Sequence, residues 1–172
     1  MPHYGARAEY ALHTLLNLSL APEDTAPSAT DLADFQKLPL ALMRKLLTQL
    51  EKSGLVVASE GVRGGWRLTR PAGEVTMLDI VEGAEGNEVL FRCRGIRARC
   101  ALWPDEAPPR AARMGVCEIH AVMLAAEDVM RAELSKHTLV DIADRVKRKS
   151  PRFVATDLPA WFAGRFAGRR ST

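Results

Sequence analysis

Cysteine is scarce in this chain: 172 residues contain three, all between positions 93 and 117. An odd, clustered set of thiols excludes a disulfide framework as the organising device. No apolar run approaches the roughly 18 residues of a membrane-spanning helix. The opening stretch "MPHYGARAEYALHTLLNLSLA" has no clear small-residue cleavage site and carries Glu9 and His13 inside its apolar part, which a secretory leader tolerates poorly. A cytoplasmic protein is expected, with no membrane partner. There is no phosphate-binding glycine loop, no G-x-S-x-G elbow and no carboxylate pair in an evident cleft. His3, His13, His120 and His137 have no nucleophile partner other than cysteine, so neither an enzyme nor a small-molecule substrate is expected. No internal repeat is present.

At 47% hydrophobic residues, the chain can bury a core for one domain with extensions. Its net charge of +3 is unevenly spread. From Lys147 to Thr172 seven basic residues face one acid, Asp157, leaving a net of −3 on the rest. A basic tail is compatible with an anionic partner or with a solvated terminus.

Apolar periodicity predicts a first helix over Ala6–Leu20. Two prolines in "APEDTAP" end it, and Ser28 or Thr30 can cap a short helix over "SATDLADFQKL". "LPLALMRKLLTQLEKSG" follows. Pro39 stands near its start and Gly54 near its end, Leu42, Leu46, Leu47 and Leu50 share one face, and Arg44, Lys45 and Thr48 lie largely elsewhere. Two extended runs, 55–59 and 66–69, flank a turn holding Gly61, Gly64 and Gly65, the pattern of a β-hairpin. Two short helices and a basic, glycine-tipped hairpin make a winged helix-turn-helix. Arg63, Arg67 and Arg70 stand around the wing, where they could reach phosphates. A helix near 77–82, a long helix over 116–135 and a short one in "HTLVDIADRV" complete the pattern, so the fold class is mainly α. The long helix carries an apolar stripe, Ile119, Val122, Met123, Ala126, Val129, Met130 and Leu134, suited to pairing with its twin. The expected organisation is a DNA-binding domain over 1–85, a cysteine-bearing loop over 86–115, a dimerisation helix and short helix over 116–146, and a basic aromatic tail over 147–172. That tail reads as an appended amphipathic or poorly ordered segment.

The loop "CRGIRARCALWPDEAPPRAARMGVCEIH" sets Cys93, Cys100, Cys117 and His120 at C-x6-C-x16-C-x2-H, the spacing of neither a common zinc finger nor a ferredoxin. Thiolates suit iron–sulfur clusters and zinc, and the arginines around them would offset an anionic cluster or activate a redox-sensing thiol. Glu9 and His13, four residues apart, share a helix face and could reach one metal, or form an ordinary intrahelical pair.

The order "YALHTLLNLSL", "LADFQKLPLALMRKLLTQLEKSGLV", "GVRGGWRLTRP", "VTMLDIVEGAEG" and a cysteine loop closing as "CEIHAV" resembles the Rrf2 superfamily of winged helix-turn-helix regulators, IscR-, NsrR- and RsrR-like, over roughly residues 3 to 145. The resemblance implies a homodimeric transcription factor that binds a palindromic operator in double-stranded DNA. It also implies an iron–sulfur cluster, 2Fe–2S by preference and 4Fe–4S as the alternative, through which redox state, nitric oxide or iron–sulfur status is sensed. By position Cys93, Cys100 and Cys117 match the loop ligands and His120 the histidine of IscR-like members. "AEYALH" resembles the first-helix motif whose carboxylate and histidine complete a partner's 2Fe–2S cluster. Two ligand sets follow: two loop cysteines with Glu9 and His13 of the other subunit, or three cysteines with His120. The Cys100–Cys117 gap is longer than in most relatives. On the DNA side, Arg44 is the residue suited to a guanine, with Lys45, Thr48, Arg63 and Arg67 beside it. Glu60 stands where relatives place a wing arginine, and Arg63 can substitute. The rival readings are a cluster-free thiol redox regulator of the same fold and an adaptor that has lost DNA binding.

Overall fold

The computed structural model describes residues 4–59, 64–86, 89–99, 101, 103, 107–110 and 114–169. These fall into two compact units, one of residues 4–86 with 134–169 and one of residues 89–133.

In the larger unit, α1 spans Ala6–Leu20 and buries Ala8, Ala11, Leu15 and Leu18. Its N-terminus has no local side-chain cap. A carboxylate from elsewhere in the fold serves instead, since Ala8 N donates to Glu85 Oε1 at 3.1 Å. α2 (Ala29–Gln36) is capped by Ser28, whose hydroxyl accepts from Asp31 N while the Asp31 carboxylate accepts from Ser28 N. α2 ends at Lys37, whose φ of +53° turns the chain toward α3. α3 (Leu40–Lys52) follows Pro39 and buries Met43, Leu46, Leu47 and Leu50; Gly54, at φ +71°, turns the chain out of it. Thr14, buried on α1, is satisfied by Gln36 Nε2 at 2.8 Å, so the polar group inside this helical core is not orphaned.

The wing is an antiparallel pair, β1 (Val56–Ser59) and β2 (Gly65–Leu68), with Val56 opposite Leu68 and Ser59 opposite Gly65. A short turn at Ala72–Glu74 leads to α4 (Met77–Glu85), which has its own capping box between Thr76 and Asp79. α4 runs three residues beyond the expected 82. Gly83 is accommodated within it because a methyl there would meet Leu55 Cδ1 at 2.6 Å, so the glycine permits close packing of α4 on the base of the wing.

α6 (Leu139–Lys149) enters this unit through a short antiparallel bridge, with Met77 N donating to His137 O at 2.8 Å and Leu139 N to Val75 O at 2.9 Å. The C-terminal residues depart from the expectation of an appended tail. A π-helical turn at Phe153–Asp157 continues into α7 (Leu158–Gly168), which buries Leu158 and Phe162 in the same core as α1, α2 and α3. Phe35 of α2 lies 5.0 Å from Trp161 and 5.1 Å from Phe162, ring centre to ring centre.

The smaller unit holds a short 3-10 turn at Ile96–Arg99 and α5, which spans Glu118–Ser135 and ends just inside the larger unit. No residue of α5 is buried. Among the described residues no helix is long and apolar enough to cross a membrane.

Candidate functional site

The amphipathicity of α3 fixes which side chains a ligand can meet. With Met43, Leu46, Leu47 and Leu50 turned into the core, Ala41, Arg44, Lys45, Thr48, Glu51 and Lys52 are exposed. Arg44, Lys45 and Thr48, at i, i+1 and i+4, share one side of the helix and present two cations and a hydroxyl. A helix presented this way can enter a major groove.

The wing beside it is fastened at its root. Trp66 N donates to Pro27 O at 2.9 Å, and a methyl at Gly65 would lie 2.0 Å from the Ala26 carbonyl oxygen. Gly65 is therefore required by close approach of two backbones. The wing arginines are not equally available. Arg67 is exposed but its Nη1 donates to Glu23 O at 2.6 Å, and Arg70 is in a partly exposed ion pair with Asp79 at 2.8 Å. Arg63 and Glu60 lie outside the described residues.

Glu9 and His13 are both exposed on α1, one turn apart, and together line two cavities of about 400 and 340 Å³. The larger is completed by Tyr10, Phe35, Leu38, Val146 and Phe153. The sequence-predicted pair is thus open on one face of α1.

In the smaller unit Cys93 is exposed, Cys117 is half-buried, and both are free thiols. Cys117 sits directly before α5, and its carbonyl accepts from Ala121 N at 2.8 Å. Arg97 Nη2 donates to the carbonyls of Met114 and Gly115, at 2.8 and 2.5 Å, tying the chain before Cys117 to the 3-10 turn. His120 is half-buried with its ring 5.9 Å from that of Phe91. Cys100 lies outside the described residues. Among the described residues no three of His, Cys, Asp and Glu converge on one point.

The sequence reading missed Arg165 and Arg169. Arg165 Nε donates to Asp31 Oδ1 at 3.1 Å and its Nη2 pairs with Asp34; Arg169 donates to the Gly64 and Ala26 carbonyls, both at 2.8 Å, and lies 3.2 Å from Asp31. The four-residue recurrence of Trp161, Arg165 and Arg169 is visible in the sequence, but their facing the acids at 31 and 34 is not.

Residues 4–145 match the family Rrf2, described as iron-dependent transcriptional regulator. The chain belongs to the Rrf2 family. It is 26% identical over 136 residues to the protein rrf2 of Nitratidesulfovibrio vulgaris, covering 79% of this chain and 83% of that one. To the HTH-type transcriptional regulator IscR of Xenorhabdus nematophila it is 24% identical over 157 residues, covering 85% and 89%. Among solved structures, that of CymR, the global cysteine regulator of B. subtilis, superimposes with a TM-score of 0.59 at 23% identity, over 84% of this chain and 98% of that one. This Rrf2 protein is accordingly a transcriptional regulator with a winged helix-turn-helix fold, in a family whose members are named as regulators rather than enzymes.

Proposed function

We propose that this Rrf2 protein is a homodimeric redox-responsive regulator that binds a palindromic operator and reads the state of an iron–sulfur cluster shared between its two chains. The observation that carries the reading is the presence of two donor sets, exposed Glu9 with His13 on α1, and exposed Cys93 with half-buried Cys117 beside α5. Neither set alone has the four protein ligands a 2Fe–2S unit takes, and thiolate with imidazole and carboxylate is a chemically fitting mixture for one. The residues proposed to hold it are Cys93 and Cys117 of one chain with Glu9 and His13 of the other. Cys100 and His120 form the alternative completion, and a 4Fe–4S cluster is the alternative nuclearity. Bound there, the cluster would supply a redox-active centre whose potential imidazole ligation raises and makes sensitive to protons.

The apolar stripe of α5 supports the dimer. Ile119, Val122 and Val129 are 68%, 69% and 71% exposed, and with Ala126 they follow the 3-4-3 spacing of a helix seam. Ligands drawn from both chains would couple the cluster to the separation of the two α3 helices, and so to operator affinity. Arg44 is the side chain proposed to read a guanine, with Lys45, Thr48, Arg63 and Arg67 on phosphate or neighbouring bases.

A cluster-free thiol switch is the second reading, favoured by the exposed free thiol of Cys93. The variants Glu9→Ala and His13→Ala test the cross-chain part of the first reading. A changed visible spectrum supports cross-chain ligation; an unchanged one removes Glu9 and His13 from the site.

A further inference from the structure

The match to the Rrf2 family ends at residue 145, and α7 lies wholly beyond it. We propose that α7 is an intramolecular clamp for the DNA-docking face, in which Arg169 positions the wing and Arg165 cancels acidic charge on α2.

Arg169 acts at the wing root. One guanidinium carries hydrogen bonds to the carbonyl of Gly64, which immediately precedes β2, and to that of Ala26, in the turn before α2. The planar fork spans two backbone segments that meet there, at the point where Gly65 already approaches Ala26 too closely for any side chain. A lysine carries the same charge but has no fixed fork.

Arg165 acts on charge. In a helix-turn-helix the first of the two helices crosses the phosphate backbone, and α2 carries two acids, Asp31 and Asp34. Asp31 is buried and already committed to capping α2, whereas the side chain of Asp34 is half exposed. Arg165 reaches the two together, and without it Asp31 keeps Arg169 at 3.2 Å while Asp34 would be left to repel phosphate. Its guanidinium is held over the Trp161 ring at 5.5 Å, and Trp161 is in turn packed on Phe35 of α2. Two of the basic residues of the C-terminal segment are thus spent on the protein's own carboxylates.

This inference rests on DNA binding by the winged helix and not on the cluster. It is tested with the full chain, its cysteines intact, and a fluorescein-labelled duplex of mixed sequence of about 30 base pairs at low salt, where the sequence-independent phosphate contribution dominates. Arg165→Ala is expected to weaken binding about tenfold, and adding Asp34→Asn to restore it to within about threefold of wild type. Asp34→Asn alone, which keeps every other contact of Arg165, is expected to bind more tightly than wild type. Arg169→Lys is expected to bind as weakly as Arg169→Ala. If Asp34→Asn fails to rescue Arg165→Ala, Arg165 touches DNA directly and the proposal is wrong for it. Wild-type affinity in Arg169→Lys overturns the positioning role. A wild-type chain that binds no duplex overturns the DNA-binding reading and this inference with it.

Discussion

Phe35 and Phe162 stand with ring centres 5.1 Å apart, so a residue of the DNA-binding helices and a residue of the C-terminal helix share one core. Phe162 is 2% exposed. Phe162→Ala is expected to lower unfolding stability by about 3–5 kcal/mol, through lost burial and the cavity left behind. Urea denaturation checks this. An unchanged midpoint would mean that α7 does not pack on α2 in solution.

Gly65→Ala forces apart two backbones that approach within 2.0 Å of the added methyl. A cost of about 1–3 kcal/mol is expected, with weaker duplex binding because the wing root is displaced. Thermal unfolding and a fluorescence binding titration report the two effects separately.

Asp141 supplies the acid-sensitive element. A hydrogen bond from the Thr138 backbone, then one from its hydroxyl, hold the carboxyl below its ordinary value of 3.8. A lowered value in the folded state means that the contribution is complete above pH 3.8 and is lost as pH falls through the lowered value. The difference in thermal midpoint between wild type and Asp141→Asn is expected to shrink as pH is taken below about 4. A difference that stays constant down to the most acid conditions would contradict the capping role.

The exposed seam of α5 predicts an oligomer that one charge can break. Val122→Glu is expected to raise the dimer dissociation constant by about 100-fold or more, since an unpaired carboxylate would be buried in the interface. Sedimentation equilibrium distinguishes this from a wild-type chain that is already monomeric, which would remove the seam from the account.

The DNA-binding half was readable from sequence because its signals are local. The period of α1 and α3, the proline before α3 and the glycines of the wing each act within a few residues, and Ser28 was one of the two caps named for α2. Long-range partners were not readable in the same way. Nothing near Arg70 in sequence announces Asp79 as its ion pair, and nothing near Arg165 announces Asp31 or Asp34 across more than 130 residues. α4 runs past its expected end at 82, and Gly83 is kept within it where Leu55 packs closely against the helix. In the candidate site, the four-residue spacing of Glu9 and His13 was legible as a shared helix face, and both are exposed there.

The central claim is tested most directly by the visible absorption and circular dichroism spectrum of protein purified without oxygen, with iron and sulfide assayed on the same sample. The account predicts a brown protein absorbing between about 300 and 600 nm, with iron and sulfide in equal amounts, as thiolate-held clusters give. A colourless protein that stays colourless after reconstitution with iron and sulfide would contradict it and leave Cys93 and Cys117 as a thiol switch.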